Sequence, residues 1–264
     1  MADSASSKIN PPLLYGRHAV LEALRAGRRR IQRVYLGAGV RSAPIVADIL
    51  AAARLRGCPV IEAPRQMLEQ AGPVNHQGVV AEAAAYPYVE LDDLLSVSND
   101  PLYLILDHLQ DVQNLGTLLR TAEAMAVTGV MLPDRRAADI TPAVVNASAG
   151  AVEHLRIALV GNLAQTIARL KAANVWVVGL DAGPGAAPLG KADLTGPLAL
   201  VVGAEGAGLA RLVREQCDWL LAIPMYGQVA SLNAAVAGSV ALVAARQARG
   251  ADKLLPPRAG GSYI

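Results

Sequence analysis

Leu198-Ala-Leu-Val-Val-Gly203-Ala-Glu-Gly-Ala-Gly208 joins an unbroken apolar run to a glycine-rich turn. The same pattern recurs at Trp219-Leu-Leu-Ala-Ile223-Pro-Met-Tyr-Gly-Gln-Val-Ala-Ser-Leu-Asn233. A short apolar run without alternation fits a strand buried on both faces, as in a parallel sheet covered by helices. Glycine at the end of such a strand lets backbone N–H and C=O groups approach a ligand closely. Two turns 15 residues apart point to one pocket built from neighbouring loops.

Outward from these turns, apolar strands alternate with helical patterns. Strands are expected at Leu102–Leu106, Gly129–Leu132, Leu155–Val160 and Val175–Leu180, in addition to Leu198–Val202 and Trp219–Ile223. Helices are expected over Leu115–Ala126, near Pro142–Ala149, and over Leu163–Ala173, Gly208–Gln216 and Leu232–Arg249. That order predicts an α/β domain over residues 101–250, with a parallel sheet covered on both faces. A smaller α/β unit is expected over 13–85. Its first helix carries Val20, Leu21 and Leu24 at helical spacing and stops at Gly27. Residues 86–100 hold four acidic and no basic side chains and close on Ser98-Asn-Asp-Pro101, which reads as a linker. Residues 1–12 and 251–264 read as disordered tails.

Composition narrows the function. Hydrophobic residues are 53% of the 264, yet no apolar run reaches the roughly 20 residues that span a bilayer. The N-terminus lacks the apolar core of a secretory signal. Two cysteines, Cys58 and Cys217, and four scattered histidines make neither a disulfide framework nor a zinc site. A cytoplasmic protein without a metal is the expectation. Residues 1–85 carry 11 Lys/Arg against 6 Asp/Glu, and the excess gathers at Arg25, Arg28, Arg29, Arg30, Arg33 and Arg41. Such a cluster fits either a phosphate-contact surface or a solvated helix end.

Two nucleotide signatures fail. Gly185-Ala-Ala-Pro-Leu-Gly190-Lys191 has phosphate-loop spacing, but Ala192 stands where Ser or Thr is required and no helix pattern follows. Gly206-Ala-Gly208 begins a dinucleotide fingerprint, but Arg211 occupies the third glycine position and Glu205 would face a pyrophosphate. A further block, Asp107-His-Leu-Gln-Asp-Val-Gln-Asn114-Leu-Gly-Thr-Leu-Leu-Arg120, starts where a buried strand ends. There Asn114 suits a helix N-cap, and Arg120 borders the apolar stripe, within reach of Glu123 at i,i+3. Taken singly, Ser231 reads as the N-cap of the last helix, Asn233 as a first-turn residue, and Glu205 as an electrostatic cap.

Together, Asn114…Arg120, Gly203-Ala-Glu205-Gly-Ala-Gly-Leu and Ile223-Pro-Met-x-Gly-x-x-x-Ser231-Leu-Asn233 resemble the three motifs of the SpoU/TrmH RNA ribose methyltransferases of the SPOUT superfamily. Leu14-Tyr-Gly-Arg-His-Ala-Val-Leu-Glu-Ala-Leu24 resembles the start of the ribosomal-protein-like RNA-binding domain in the bacterial 23S rRNA guanosine 2′-O-methyltransferase branch. The resemblance implies a homodimer that binds S-adenosyl-L-methionine in a deep trefoil knot. Gly203, Ile223 and Leu232 would contact that cofactor through their backbone, with Leu180, Met225 and Gly227 beside them. Asn114, Arg120, Glu205, Ser231 and Asn233 would be the catalytic set. Arg120 is physically better suited to anchoring a phosphate than to taking a proton, because a neutral guanidine is costly. Arg17, His18, Arg28, Arg29, Arg30, Asn75 and His76 would contact RNA, and with aromatics at 3% shape and phosphate recognition should dominate.

Two departures stand out: Ala234-Ala235 replaces a frequent Val-Ser, and His108 replaces a common small residue. Both bear on packing or nucleotide preference. The target stays open among a 23S rRNA guanosine, a tRNA and an rRNA adenosine. A non-catalytic ribosome-assembly factor is the alternative from another class.

Overall fold

A computed structural model describes residues 12–40, 43–135 and 137–250. The tail 251–264, residues 1–11 of the N-terminal tail, and Arg41 lie outside the described residues. The N-terminal unit contains β1 (Leu13–Tyr15), α1 (Arg17–Ala26), β2 (Ile31–Gly37), α2 (Pro44–Leu55), β3 (Val60–Ala63), α3 (Arg65–Leu68) and β4 (Val79–Ala83). Its four-stranded sheet runs β1-β4-β2-β3, antiparallel except for β2–β3.

The larger unit holds β5 (Leu102–Asp107), α5 (Val112–Ala124), β6 (Gly129–Pro133), α6 (Pro142–Ala147), β7 (Ile157–Val160), α7 (Leu163–Ala172), β8 (Trp176–Leu180), β9 (Ala187–Pro188), β10 (Leu198–Gly203), α8 (Arg211–Gln216), β11 (Trp219–Ala222) and α9 (Ala234–Ala248). Before it, α4 (Leu91–Leu95) forms within the expected linker. The sheet is parallel, in the order β7-β6-β5-β10-β8-β11-β9.

Every residue of β5 and β10 is buried, which is why neither shows hydrophobic alternation. Leu102, Leu104 and Leu106 pack on one face with Leu118 of α5 and Leu242 of α9, whereas Tyr103 and Ile105 face Leu94, Ile167 and Val213. Neighbouring strands β5 and β10 therefore send their following helices, α5 and α8, to opposite faces. That divergence leaves the carboxyl end of the sheet open beside β10, the usual ligand site of such sheets. Two glycines allow close helix packing. A Cβ on Gly116 would lie 2.4 Å from Ala147, and one on Gly238 would lie 2.8 Å from Leu118.

Residues 86–100 are packed rather than a free linker. Tyr86 is buried and its hydroxyl lies 2.7 Å from the Leu155 carbonyl, to which it donates, while Val89 N–H donates to Ile157 at 2.9 Å. The two units share a polar contact that revises the reading of the arginine cluster. Arg29 is buried and paired with buried Glu153, with Nε–Oε2 at 2.9 Å. Arg28 donates to Tyr86, Leu155 and Pro87. Neither guanidinium is offered to a phosphate, contrary to the sequence expectation. Arg30 remains exposed. Among the described residues, no helix is long and apolar enough to cross a membrane, and no group of three or more His, Cys, Asp or Glu side chains could hold a metal.

His154 and Arg25 also hold Glu22 across and beside this contact, at 2.7 and 2.8 Å. Burial works against the charged carboxylate, but the hydrogen bonds and charges of these partners outweigh it and bring Glu22 down to about 2. The stabilisation is thus complete above the ordinary value of 4.5 and is lost as pH falls through about 2. Glu22→Gln should destabilise the protein at pH 7, and the gap from wild type in urea melts should close between pH 4.5 and 2. Glu153→Ala leaves the Arg29 charge buried and should cost about 3–5 kcal/mol in the same melts. The double change Arg29→Met/Glu153→Met should cost markedly less.

Candidate active site

The crevice at the ends of β10, β8 and β11 is a cleft of about 610 Å³. Leu180, Gly203, Ile223, Met225 and Leu232 line it, and Gly227 does not border it. Glu205, Ser231 and Asn233 also face the cleft. Asp181, which the motifs did not single out, joins them. Its Oδ1 accepts from Gly183 N–H at 2.6 Å and its Oδ2 lies 3.0 Å from Arg214 Nε. A carboxylate just past an apolar strand was the only signal for it. The lining contains two carboxylates and no Lys, Arg or His. Asp181 is paired with Arg214 outside the lining, so Glu205 is the lining carboxylate without an ion pair among the described residues. That character disfavours a polyphosphate and suits a cationic ligand among apolar walls.

Gly203 is fixed by the turn that follows it. Ala204 and Gly208 exchange backbone hydrogen bonds of 3.1 and 2.9 Å, and a Cβ at Gly203 would fall 2.3 Å from the Gly208 carbonyl group. The tight turn thus swings Glu205 over the end of β5. There Asn114 Nδ2 donates to Glu205 Oε2 at 3.0 Å, and Asn233 Nδ2 donates to Asn114 Oδ1 at 2.8 Å. Asn233 Oδ1 accepts from Ala235 and Val236 N–H at 2.9 and 3.3 Å. The backbone donors of α9 therefore set the Asn233 amide, which sets Asn114, which points its NH₂ at Glu205. One orientation satisfies the whole relay.

These bonds correct two local assignments. Asp111, not Asn114, caps α5, accepting from Asn114 N–H at 2.7 Å, so the Asn114 side chain is left for the relay. Asn233, not Ser231, caps α9. Arg120 lies six residues beyond Asn114, about 9 Å along the helix axis. It is exposed and has no ion pair or hydrogen bond among the described residues, including the surface pair with Glu123. In the N-terminal unit, Arg17 Nε donates to the Gln77 carbonyl at 3.1 Å and His76 Nδ1 accepts from Gly78 N–H at 3.0 Å. His18 and Asn75 are exposed. Arg30 sits at the other end of α1 from Arg17.

Residues 101–243 match the SpoU rRNA Methylase family, and residues 13–89 match the RNA 2′-O ribose methyltransferase substrate-binding domain. The chain belongs to the SpoU rRNA methylase family. Membership makes it an S-adenosylmethionine-dependent RNA ribose 2′-O-methyltransferase. The 23S rRNA (guanosine-2′-O-)-methyltransferase RlmB of Pseudomonas putida is 40% identical over 240 residues, covering 89% of this chain and 96% of that protein. The SpoU methyltransferase AviRb from Streptomyces viridochromogenes, solved with AdoMet, aligns with a TM-score of 0.75 at 26% identity and covers 91% of each chain. An AdoMet-bound rRNA methyltransferase from Sinorhizobium meliloti aligns at 0.74 and 29%, covering 90% of this chain and 87% of its own.

A methyl group at residue 203 of this SpoU protein cannot coexist with the turn that closes the cleft. Gly203→Ala should weaken S-adenosylmethionine binding at least tenfold by titration calorimetry and destabilise the fold by about 1–3 kcal/mol.

Proposed function

We propose that the chain methylates the ribose 2′-hydroxyl of a guanosine in 23S rRNA, acting in the cytoplasm as a homodimer with the cofactor seated in a knotted cleft. The observation that carries the site assignment is the Glu205–Asn114–Asn233 relay at the rim of a cleft free of cationic side chains. The guanosine target draws on the likeness to RlmB over nearly the whole chain.

When bound, S-adenosylmethionine supplies a methyl carbon made electrophilic by its sulfonium. Leu180, Ile223, Met225 and Leu232 give the cleft the apolar walls on which an adenosine can rest. The relay holds Glu205 with one carboxylate oxygen engaged by Asn114, so the side chain meets the incoming ribose already oriented. Ser231, exposed at the rim, can hydrogen-bond the same nucleotide. Arg120, without a partner among the described residues, binds the RNA phosphate next to the reacting ribose. Its positive charge favours the developing alkoxide as the 2′-hydroxyl releases its proton to solvent water.

Arg17, His18, Asn75 and His76 gather at one end of the N-terminal unit and Arg30 lies at the other, which suits a long stretch of RNA backbone. Support for a dimer comes from α9, where Val236, Val240 and Val243 leave an apolar stripe exposed at i, i+4 and i+7. A second copy seated on α9 would cover the stripe. The knot draws on the family resemblance, and the shared lining of the cleft by residues 203–208, Ile223, Met225 and 230–234 fits it.

Labelled S-adenosylmethionine incubated with bare large-subunit rRNA and with tRNA should place label in alkali-resistant linkages of the rRNA at a guanosine. Label in tRNA or at an adenosine would overturn the target, and no label in any RNA would overturn the enzymatic reading. Arg120→Ala should lower methyl transfer at least a hundredfold while S-adenosylmethionine affinity stays within about twofold. Near-normal turnover would remove Arg120 from the site.

A further inference from the structure

Asp181 lies outside the sequence motifs, yet its carboxylate is held in place at the cleft from three directions. It follows Leu180, the last residue of β8, and its own N–H still donates to the Leu221 carbonyl of β11 at 2.9 Å. The side chain therefore hangs from the sheet rather than from a free loop. Gly183 N–H donates to Oδ1 at 2.6 Å, and Arg214 Nε of α8 lies 3.0 Å from Oδ2. A Cβ at Gly183 would lie 2.8 Å from Asp181 Oδ1 and 2.7 Å from the Arg214 guanidinium, so a side chain there would push the pair apart. The Asp181 side chain keeps 21% of its surface open and borders the cleft.

Each carboxylate oxygen has one partner, which leaves an accepting lone pair on both. Arg214 already balances the charge, so the group suits neutral hydroxyl donors better than a second cation. Two hydroxyls on adjacent ring carbons, as in a ribose diol, present paired O–H donors that one carboxylate can accept together. An adenine amino group offers hydrogens from a single nitrogen and matches a two-oxygen acceptor less well. An acidic side chain accepts from a ribose hydroxyl by the same chemistry in other parallel sheets that bind nucleotides at their carboxyl ends. Leu180, Leu221 and Ile223 beside Asp181 supply an apolar bed for the attached base.

We propose that Asp181 accepts from the 2′- and 3′-hydroxyls of the methyl donor's adenosine ribose, with Arg214 and Gly183 as the residues that position it. The inference deepens the reading of this cleft as the S-adenosylmethionine seat and rests on it. The ribose concerned belongs to the cofactor and not to the RNA.

The test is calorimetric titration of the full chain with S-adenosylhomocysteine and with its 2′-deoxy and 3′-deoxy forms, for wild type, Asp181→Ala and Arg214→Met. Wild type should bind each deoxy form about fivefold or more weaker than the parent. Asp181→Ala should bind the parent about tenfold or more weaker than wild type does, yet bind parent and deoxy forms alike within about twofold. Arg214→Met should show the same pattern at smaller size. 5′-Methylthioadenosine keeps the diol and lacks the amino acid, and Asp181→Ala should weaken it by the same factor as S-adenosylhomocysteine. The proposal is overturned if Asp181→Ala binds the parent as wild type does. It is equally overturned if the variant keeps the wild-type penalty for both deoxy forms, which is what a general loosening of the loop predicts. A loss for S-adenosylhomocysteine without one for 5′-methylthioadenosine would move the carboxylate to the ammonium and overturn it as well. If wild type binds none of these ligands, the methyl-donor reading of the cleft fails; if wild type discriminates the diol and Asp181→Ala does so equally, only the role of Asp181 fails.

Discussion

The parallel pairing of β5 with β10 is the constraint on which the rest of the molecule depends. Six residue pairs, from Leu198–Leu102 to Gly203–Asp107, bring together segments about ninety residues apart in sequence. Both strands are buried along their whole length, so their register is specified by two apolar faces at once. Because α5 and α8 depart to opposite faces, the strand ends cannot be covered by either helix. The cleft lies on the β8 and β11 side of β10, and the glycine turn after β10 shapes its rim.

Chemistry at the rim is organised by orientation more than by unusual acidity. The free N–H groups at the start of α9 fix one amide, and through it a second amide and a carboxylate. Three motifs that are far apart in the chain become one hydrogen-bonded unit, with each amide in a single orientation. The cleft beside it is largely apolar, whereas Arg120 stands outside it, exposed and without a partner among the described residues.

The N-terminal unit is attached by more than its chain connection. Arg29 with Glu153, Glu22 with His154, and Arg28 with Tyr86 and the Leu155 carbonyl cross between the units. An ion pair as buried as Arg29–Glu153 contributes specificity of docking more than net stability, since desolvation offsets most of its attraction. The docking consumes two arginines of the basic cluster. The basic charge left accessible is correspondingly smaller than the composition suggests, with Arg17 and Arg30 at opposite ends of α1.

Sequence by itself determined the fold class and the parallel sheet, and pointed both glycine-bearing turns to one cleft, although Gly227 does not border it. Unbroken apolar runs have one economical environment, and glycine-rich turns after them have few alternatives. The motif order identified Asn114, Glu205, Ser231 and Asn233 as a set, but local spacing misassigned their caps. Asp111 and Asn233 outcompete Asn114 and Ser231 because backbone φ/ψ, not residue type alone, decides which oxygen reaches a free N–H. Tertiary structure alone decided that Arg28 and Arg29 are interior struts, that residues 86–100 are packed, and that Asp107 and Asp181 belong to the site's surroundings. Each of those outcomes depends on a partner far away in sequence: Glu153 lies 124 residues from Arg29, and Ala210 lies 103 from Asp107. Charge and spacing within a segment carry no information about such partners. Only the pairing of distant strands and the docking of the two units bring them within hydrogen-bonding distance.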